Sequence, residues 1–438
     1  MKIELNKAAG FLLPKLRQIL QFLTKQGIAM TANVLYGFLC VRMLSKPEYA
    51  MFAVLFGFMG SLTVMLDIGI SGTLAPLIGE RITDLSLIAD YVASIRRIAL
   101  KLYLVVAPVA LVAFVLLVQR QHWGYLIVVQ MCAVLLVTAW FARVSSSYGA
   151  VLILRRDRAR YYRIQIMGSV GSLTLLVVFW LTHHLNVYVG ILLNVAQILF
   201  IATSNYRRAR QLLGKKGLPS PQKEKQVFRL AMPNMPSTIF YSIQGQLALM
   251  LITFFGHSSN GVANIGALTR LGAILTFFSQ MNPMLVEPFF AKLPVARLKR
   301  TYLAAAAIAA TFAATFSATA FLFPEVFLWI PGPKYGNLRF EVGLMILSSS
   351  IQYTSGFLWV VHSSRRFVYW WNNMAIILLT LAVQTVFAWK LDLSLVRNVL
   401  LLNVGSASAS LVVTICCGFY GFRFGPQKME RTVPEMAR

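Results

Sequence analysis

The sequence predicts an all-α polytopic membrane protein with about twelve transmembrane helices. Hydrophobic residues make up 58% of the 438 residues, and the mean hydropathy is +0.68, which exceeds the apolar content of ordinary soluble domains. Apolar runs of about 20 residues, the length that crosses the hydrocarbon core of a bilayer, recur along the whole chain. Lys and Arg are concentrated in the short segments between these runs. Together these features predict repeated membrane crossings.

Twelve apolar runs are long enough to cross a membrane. They cover residues 20–41, 49–73, 102–118, 124–152, 164–182, 186–205, 230–255, 260–284, 301–323, 341–361, 370–389 and 398–420. The fourth run contains Arg143 and the seventh contains Pro233 and Pro236, so the ends of these two are the least regular.

The distribution of basic residues predicts the orientation. With the N-terminus in the cytoplasm, the inside segments hold 31 Lys and Arg, the outside segments hold 7, and three lie within spans. Because cytoplasmic loops carry the excess of Lys and Arg, this ratio predicts a bacterial inner-membrane protein with both termini in the cytoplasm. The formal net charge of +27 therefore reflects membrane topology and contact with anionic lipids rather than a nucleic-acid partner.

The chain divides into two halves of six spans. We predict an N-terminal bundle, a cytoplasmic linker, a C-terminal bundle and a cytoplasmic tail over residues 1–206, 207–229, 230–422 and 423–438. Pro76 and Pro288 are 212 residues apart, and the pair Arg155–Arg156 precedes Arg365–Arg366 by 210. A constant offset of about half the chain is typical of a duplicated six-helix unit, and parallel repeats of this kind place a substrate cavity between the halves.

No catalytic motif occurs in the sequence. There is no Walker A, HExxH or GxSxG pattern and no cluster with metal-ligand spacing. We therefore predict that the chain is not an enzyme and has no catalytic residue, metal or cofactor. If H⁺ or Na⁺ drives turnover, the sequence does not identify which.

Charged residues within the N-terminal spans are candidate functional groups, because each is costly in lipid unless it faces a partner or water. Lys25 and Asp67 lie equally far along the chain from the midpoint of the first hairpin, which predicts that they lie at the same depth in the membrane. They are either a structural ion pair or a substrate-binding cation with its charge partner. Arg143 lies deep in the fourth span and either contributes to the cavity or extends to the headgroups. Asn33 is a candidate for cavity lining or for interhelical hydrogen bonding.

The C-terminal half contributes one charged residue near mid-bilayer. Arg270 lies about 18 Å into the eighth span at 1.5 Å per residue, and the residue opposite it by reflection is Gln246, with Gln244 half a turn away. No acidic residue lies at the corresponding depth on the seventh span, so an anionic ligand for Arg270 is favoured over an internal salt bridge. Gln280 and Asn282 follow on the same span. Prolines predicted to break helices near these polar groups are Pro233, Pro236, Pro283 and Pro288.

Three stretches resemble the bacterial polysaccharide flippases of the O-antigen and exopolysaccharide (Wzx-like) type. They are VRMLSKPEYAMFAVLFGFMGSLTVMLDIGISG at 41–72, GVANIGALTRLGAILTFFSQMNPMLVEPFFAKL at 261–293 and FPEVFLWIPGPKY at 323–335. Two positions depart from the family pattern, since Ala50 replaces a Gly and Lys25 stands where an Arg is common. Twelve spans, rather than the fourteen of lipid II flippases, favour the O-antigen or exopolysaccharide type.

The resemblance implies the fold of the multidrug/oligosaccharidyl-lipid/polysaccharide exporter superfamily, with two six-helix bundles in a V. It implies a transporter that flips a polyprenyl-diphosphate-linked oligosaccharide to the outer leaflet by alternating access, with polysaccharide polymerases and glycosyltransferases as possible partners. Lys25, Arg143 and Arg270 would bind the diphosphate, and the polar residues named above would contact the sugar. The glycan and the oligomeric state are not predicted.

Three other functions fit the pattern less well. A multidrug exporter of the same fold would need cavity carboxylates for cationic drugs, and only Asp67 and Glu287 are candidates. A membrane O-antigen polymerase or ligase would need a large external loop with catalytic basic residues, whereas the longest external stretch, 324–340, is short. A non-transporting scaffold would not need an Arg at mid-depth.

Overall fold

The computed structural model describes residues 26–79, 81–256, 258–365, 367 and 369–432. Lys25 lies outside these residues, so its predicted pairing with Asp67 stays a prediction. All regular elements in the described ranges are helical. The helices are α1 (26–43), α2 (Lys46–Asp67), α3 (Leu74–Ile78), α4 (Leu85–Val118), α5 (Tyr125–Leu154), α6 (Arg158–Leu181), α7 (Val187–Leu213), α8 (Pro221–Ala231), α9 (Met235–Gln244), α10 (Leu247–Phe255), α11 (Ser259–Lys292), α12 (Val295–Leu322), α13 (Pro324–Leu328), α14 (Arg339–Ser364), α15 (Trp370–Lys390) and α16 (Val396–Thr432).

These helices confirm the predicted all-α polytopic fold. Among the described residues, ten helices are long and apolar enough to cross a membrane, and α9 with α10 adds an eleventh as one broken span. The helix α1 corresponds to the first predicted span. The short helices α3, α8 and α13 lie between spans. The chain is therefore a multi-pass membrane protein.

Several helices extend well beyond the predicted spans. Helix α4 begins at Leu85, whereas its span was predicted from residue 102. Hydropathy detects only the part of a helix in hydrocarbon, and the extension carries its polar residues outside that region. Asp84 caps the extended helix, since its carboxylate accepts the Leu87 N–H at 3.0 Å. This bond lowers the pKa of Asp84.

The prediction that Pro283 and Pro288 break a helix is wrong. Both lie inside α11, which continues from Ser259 to Lys292. Membrane helices tolerate such prolines because neighbouring groups can satisfy the freed backbone carbonyls. Pro236 occupies the first turn of α9, where the missing N–H costs little. Pro233 lies in a 3₁₀ turn, Met232–Asn234, between α8 and α9, so the predicted break at Pro233 is confirmed. The seventh span is interrupted a second time at Gly245 and Gln246, between α9 and α10.

The chain forms two compact units, and the first ends at Gln246. In this N-terminal unit α5 packs against α2, α4 and α7, and α6 packs against α7. Leu62 and Leu66 of α2 form an apolar cluster with Ala110 of α4 and Ala139 of α5. The segment 207–229, predicted as a linker, contains the end of α7 and most of α8, and α8 packs against α4.

The second unit begins at Leu247 and is organised around α14. This helix packs against α11, α12 and α16, and α15 packs against α16. Gly272 lies where α11 approaches α14, and a Cβ at this position would be 2.5 Å from the Ser349 Oγ. The absence of a side chain therefore permits the close contact of these two helices.

Candidate substrate site

Arg143 lies in the interior of the N-terminal unit. Its side chain projects from α5, the helix that contacts α2, α4 and α7, and the residue is only 3% exposed. Its guanidinium carbon lies 5.9 Å from the ring centroid of Trp140, one turn earlier on α5. This burial rules out the alternative in which the side chain extends to the lipid headgroups. A buried guanidinium is costly unless other charges or ligands compensate it.

Two charged residues act on Arg143 from neighbouring helices. The Asp67 carboxylate at the end of α2 attracts the guanidinium, and the Arg96 guanidinium of α4 repels it. Among the described side chains, none forms an ion pair or hydrogen bond with the Arg143 guanidinium. The residue therefore interacts with one opposite and one like charge, both acting without a direct contact.

The backbone at the end of α2 positions Asp67. Ile68, the C-cap residue, has φ 44° and ψ 30°, and Gly69 follows with φ 76°. A left-handed conformation is unfavourable for a β-branched residue, and such strain is often found at functional sites. The turn brings Ser71 back to the carboxylate, and both its N–H and its hydroxyl donate to the Asp67 Oδ1.

Two tyrosines connect Arg96 with a third arginine, Arg210. The Arg96 guanidinium also faces the hydroxyl of Tyr148, whose ring makes an edge-to-face contact with Tyr206 at a centroid distance of 5.0 Å. Arg210 donates to the Tyr206 hydroxyl at 3.1 Å and also acts on Tyr148. We call Arg96, Arg143 and Arg210, with these two tyrosines, the arginine cluster.

The acidic residues near this cluster are bound to other cations. Glu224 of α8 pairs with Arg97 at 3.4 Å and with Lys101 at 2.7 Å. Asp90 pairs with Lys223, and Asp157 pairs with Arg208. Within the described part of the unit, Asp67 is the carboxylate that acts on the arginine cluster. The cluster therefore carries an excess of positive charge.

A polar cavity of about 500 Å³ lies in the same unit. It is lined by residues of α1, α5 and α6, including Asn33, Arg158, Tyr161, Tyr162 and Gln165. The side-chain oxygen of Asn33 also accepts a hydrogen bond from Gln197. Asn33 thus takes part both in a cavity wall and in an interhelical bond, the two roles considered for it from the sequence.

The other candidate residues are divided between the two units. Gln244 and Gln246 are partly buried near the end of the N-terminal unit. In the second unit Arg270 is partly buried on α11, Gln280 is exposed, and Asn282 is buried. Their assignment to one substrate site stays a prediction.

Several residues of the candidate site were not predicted from the sequence. Arg96 and Arg210 were counted as loop cations, because hydropathy does not reveal that α4 and α7 continue beyond the hydrocarbon. Tyr161 and Tyr162 lie just before the fifth predicted span and gave no charge signal. Gln197 was missed, although a single polar residue in an apolar span is the signal that identified Asn33.

The fold is similar to that of known transporters. A multidrug resistance MATE family transporter of the MOP superfamily, solved in an inward-facing conformation, matches with a TM-score of 0.70 and 17% identity, covering 92% of this chain and 96% of that one. A MATE protein in a bent conformation matches with a TM-score of 0.61 and 16% identity, covering 96% of each chain.

A third structure is a MOP superfamily transporter from Pyrococcus furiosus, described as having a binding pocket of reverse polarity that suggests a different function. It matches with a TM-score of 0.59 and 17% identity, covering 92% of this chain and 96% of that one. No protein-family model and no curated protein sequence matches the chain. At these identities the similarity shows the fold, which is that of MATE family transporters.

Proposed function

We propose that this protein flips a polyprenyl-diphosphate-linked oligosaccharide from the cytoplasmic to the outer leaflet of a bacterial inner membrane. Transport would proceed by alternating access, as in other folds built from two repeated bundles. The proposal joins the sequence resemblance to polysaccharide flippases with the transporter fold and the charge of the N-terminal unit. Its biological context would be cell-surface polysaccharide synthesis, with glycosyltransferases and a polymerase as partners.

The excess positive charge of the arginine cluster carries this proposal. A diphosphate is multiply negative, and guanidinium groups bind phosphate oxygens through paired, charge-assisted hydrogen bonds. Arg143 is buried with no direct ionic partner among the described residues, so a bound anion would offset the cost of its burial. Asp67, which attracts the same guanidinium, would maintain the position of the Arg143 side chain when no substrate is bound.

Other residues offer binding partners for the remaining parts of the substrate. The polar cavity offers tyrosine rings and an amide, groups that stack on and hydrogen-bond to sugars. Arg270 would supply a further cation from the second unit, as would Lys25 from the first span. The apolar chain of the substrate would stay in the bilayer.

The direct test is complementation of a deletion strain, with surface glycan and protein abundance measured together. We expect Arg143→Gln and Arg270→Ala to abolish surface glycan at normal protein level, while Arg143→Lys retains part of it. Arg97→Gln is the matched control, because Arg97 neighbours Arg96 on α4 but pairs with Glu224. Normal glycan with Arg143→Gln would overturn the proposed role of this residue.

A multidrug exporter is the second candidate function. Asp67 is a partly buried carboxylate at the end of α2, and two of the similar structures are MATE proteins, one of them a multidrug resistance transporter. This function predicts that Asp67→Asn raises drug sensitivity in cells and leaves surface glycan unchanged. The flippase proposal predicts that Arg143→Gln and Arg270→Ala abolish surface glycan and leave drug sensitivity unchanged. The two readouts therefore separate the functions.

A further inference from the structure

The second unit contains a large apolar groove, separate from the residues considered above. Its volume is about 870 Å³, and it lies between α12, α14 and α16. The α12 wall presents Ala306, Ala307 and Ala310, and the α16 wall presents Leu411 and Ile415. The small side chains of α12 leave the space that larger residues would fill.

Aromatic residues close one side of the groove and hold its helices together. The Tyr302 hydroxyl of α12 lies 3.0 Å from the Nε2 of His362, which is fully buried on α14. Gly418 of α16 packs against both, since a Cβ there would lie 2.8 Å from the His362 Nε2 and from the Tyr302 hydroxyl. The wall is therefore built by close packing of three helices.

Two cations lie at one end of the groove. Lys299 is near the start of α12 and Arg423 is near the end of α16, and both are exposed. The Arg423 guanidinium lies 5.5 Å from the ring centroid of Phe424. Among the described side chains, no carboxylate forms an ion pair with either residue. The groove is therefore apolar along most of its length and carries two positive charges at one end.

The dimensions of the groove correspond to one leaflet of a bilayer. Along α12 the lining residues run from Leu298 to Ala310, and along α16 from Leu411 to Arg423. At 1.5 Å per residue each of these stretches is about 18 Å long. Half of a hydrocarbon core of about 30 Å is about 15 Å, so an acyl chain entering from the charged end would fill the groove.

We propose that this groove binds one anionic phospholipid, with its phosphate at Lys299 and Arg423 and an acyl chain along the alanines of α12. Two cations that form no ion pair with the described carboxylates select a negative headgroup over a zwitterionic one. The predicted orientation places this end at the cytoplasmic leaflet. The site is independent of the arginine cluster, which lies in the other unit, and of the substrate proposed for it.

Native mass spectrometry of the purified full-length protein tests this inference. The probes are phosphatidylglycerol and phosphatidylcholine with identical acyl chains. We expect phosphatidylglycerol to bind about tenfold more tightly, and the preference to disappear in Lys299→Ala/Arg423→Ala, because each basic residue contributes to anionic-lipid binding. The matched control is Arg297→Ala/Arg300→Ala, two exposed cations on the first turns of α12 outside the groove lining.

A second variant tests the apolar part of the site. Ala306→Phe fills the groove and should abolish lipid binding while the charged end is intact, and the thermal midpoint of the variant reports its folding. Equal binding of the two lipids by the wild-type protein, or equal losses in the cation pair and its control, would overturn the proposal. Displacement of phosphatidylglycerol by undecaprenyl diphosphate would also overturn it, because the groove would then serve the substrate.

Discussion

The side-chain oxygen of Asn33 accepts a hydrogen bond from the Gln197 Nε2 at 2.9 Å, and this bond joins α1 to α7. Gln197 also accepts the Ser172 hydroxyl at 2.7 Å and donates to the Ser169 hydroxyl at 3.2 Å. One buried amide thus connects three helices beside the polar cavity. Such networks stabilise a bundle when every member is satisfied.

We expect Gln197→Leu to lower the free energy of unfolding by about 1–3 kcal/mol, because polar groups in the interior lose their partners. Thermal denaturation in detergent measures the change. The control is Gln130→Leu on α5, an exposed position where the same substitution should have little effect. Equal melting temperatures for the Gln197 variant and wild type would show that the network does not contribute.

Gly168 of α6 marks a close helix contact. A Cβ at this position would lie 2.7 Å from the Cγ1 of Ile201 on α7, whereas a Cβ at Gly171 would meet no atom within 4 Å. We expect Gly168→Ala to destabilise the protein by about 1–3 kcal/mol through overpacking. Gly171→Ala, the control on the same helix, should be neutral or stabilising. Unfolding midpoints that fall equally in both variants would contradict this account.

The ion pair between Asp90 and Lys223 fixes α8 to α4. The Lys223 Nζ lies 2.6 Å from the Asp90 carboxylate, whose second oxygen accepts the Leu218 N–H at 2.8 Å. Because the pair is partly exposed, Asp90→Asn should cost about 1 kcal/mol or less in global stability.

The local effect of Asp90→Asn should be larger. We expect faster trypsin cleavage at Lys215 and Lys216, which lie in the connection that Asp90 holds. Glu325→Gln removes an exposed pair with Arg339 in the second unit and should not change this cleavage. An unchanged rate in the Asp90 variant would show that α8 is held by other contacts.

The orientation is tested with reporter fusions. Because 31 of the basic residues lie in the segments predicted to be inside and 7 in those predicted to be outside, we expect a C-terminal green fluorescent protein fusion to fluoresce. Alkaline phosphatase inserted after Lys334 should be active. The opposite pattern of reporter activity would reverse the predicted topology.

Composition and charge predicted the helices well, because a bilayer selects long apolar segments whatever they pack against. The extent of α4 was not predictable in this way, since its first turns lie outside the hydrocarbon. The interruption at Gly245 was also missed, and the prolines of α11 were given too much weight.

The charged residues were only partly predictable. Reflection about a hairpin compares consecutive spans, so it related Asp67 to Lys25 of the first predicted span. It did not reveal that Arg143 of α5 and Arg96 of α4 act on each other, because Arg96 was counted as a loop cation and the extension of α4 beyond its predicted span was not foreseen. The functional roles of these charged residues stay predictions, and their arrangement around Arg143 required the structure.

The central claim is that the protein binds a diphosphate-bearing lipid through the arginine cluster. Its most direct test is the affinity of the purified full-length protein for undecaprenyl diphosphate, undecaprenol and the cation tetraphenylphosphonium. We predict that the diphosphate binds at least about tenfold more tightly than the neutral alcohol, and that Arg143→Gln removes this difference while Arg97→Gln retains it. Equal affinity for the two lipids, or tight Asp67-dependent binding of the cation alone, would contradict the claim.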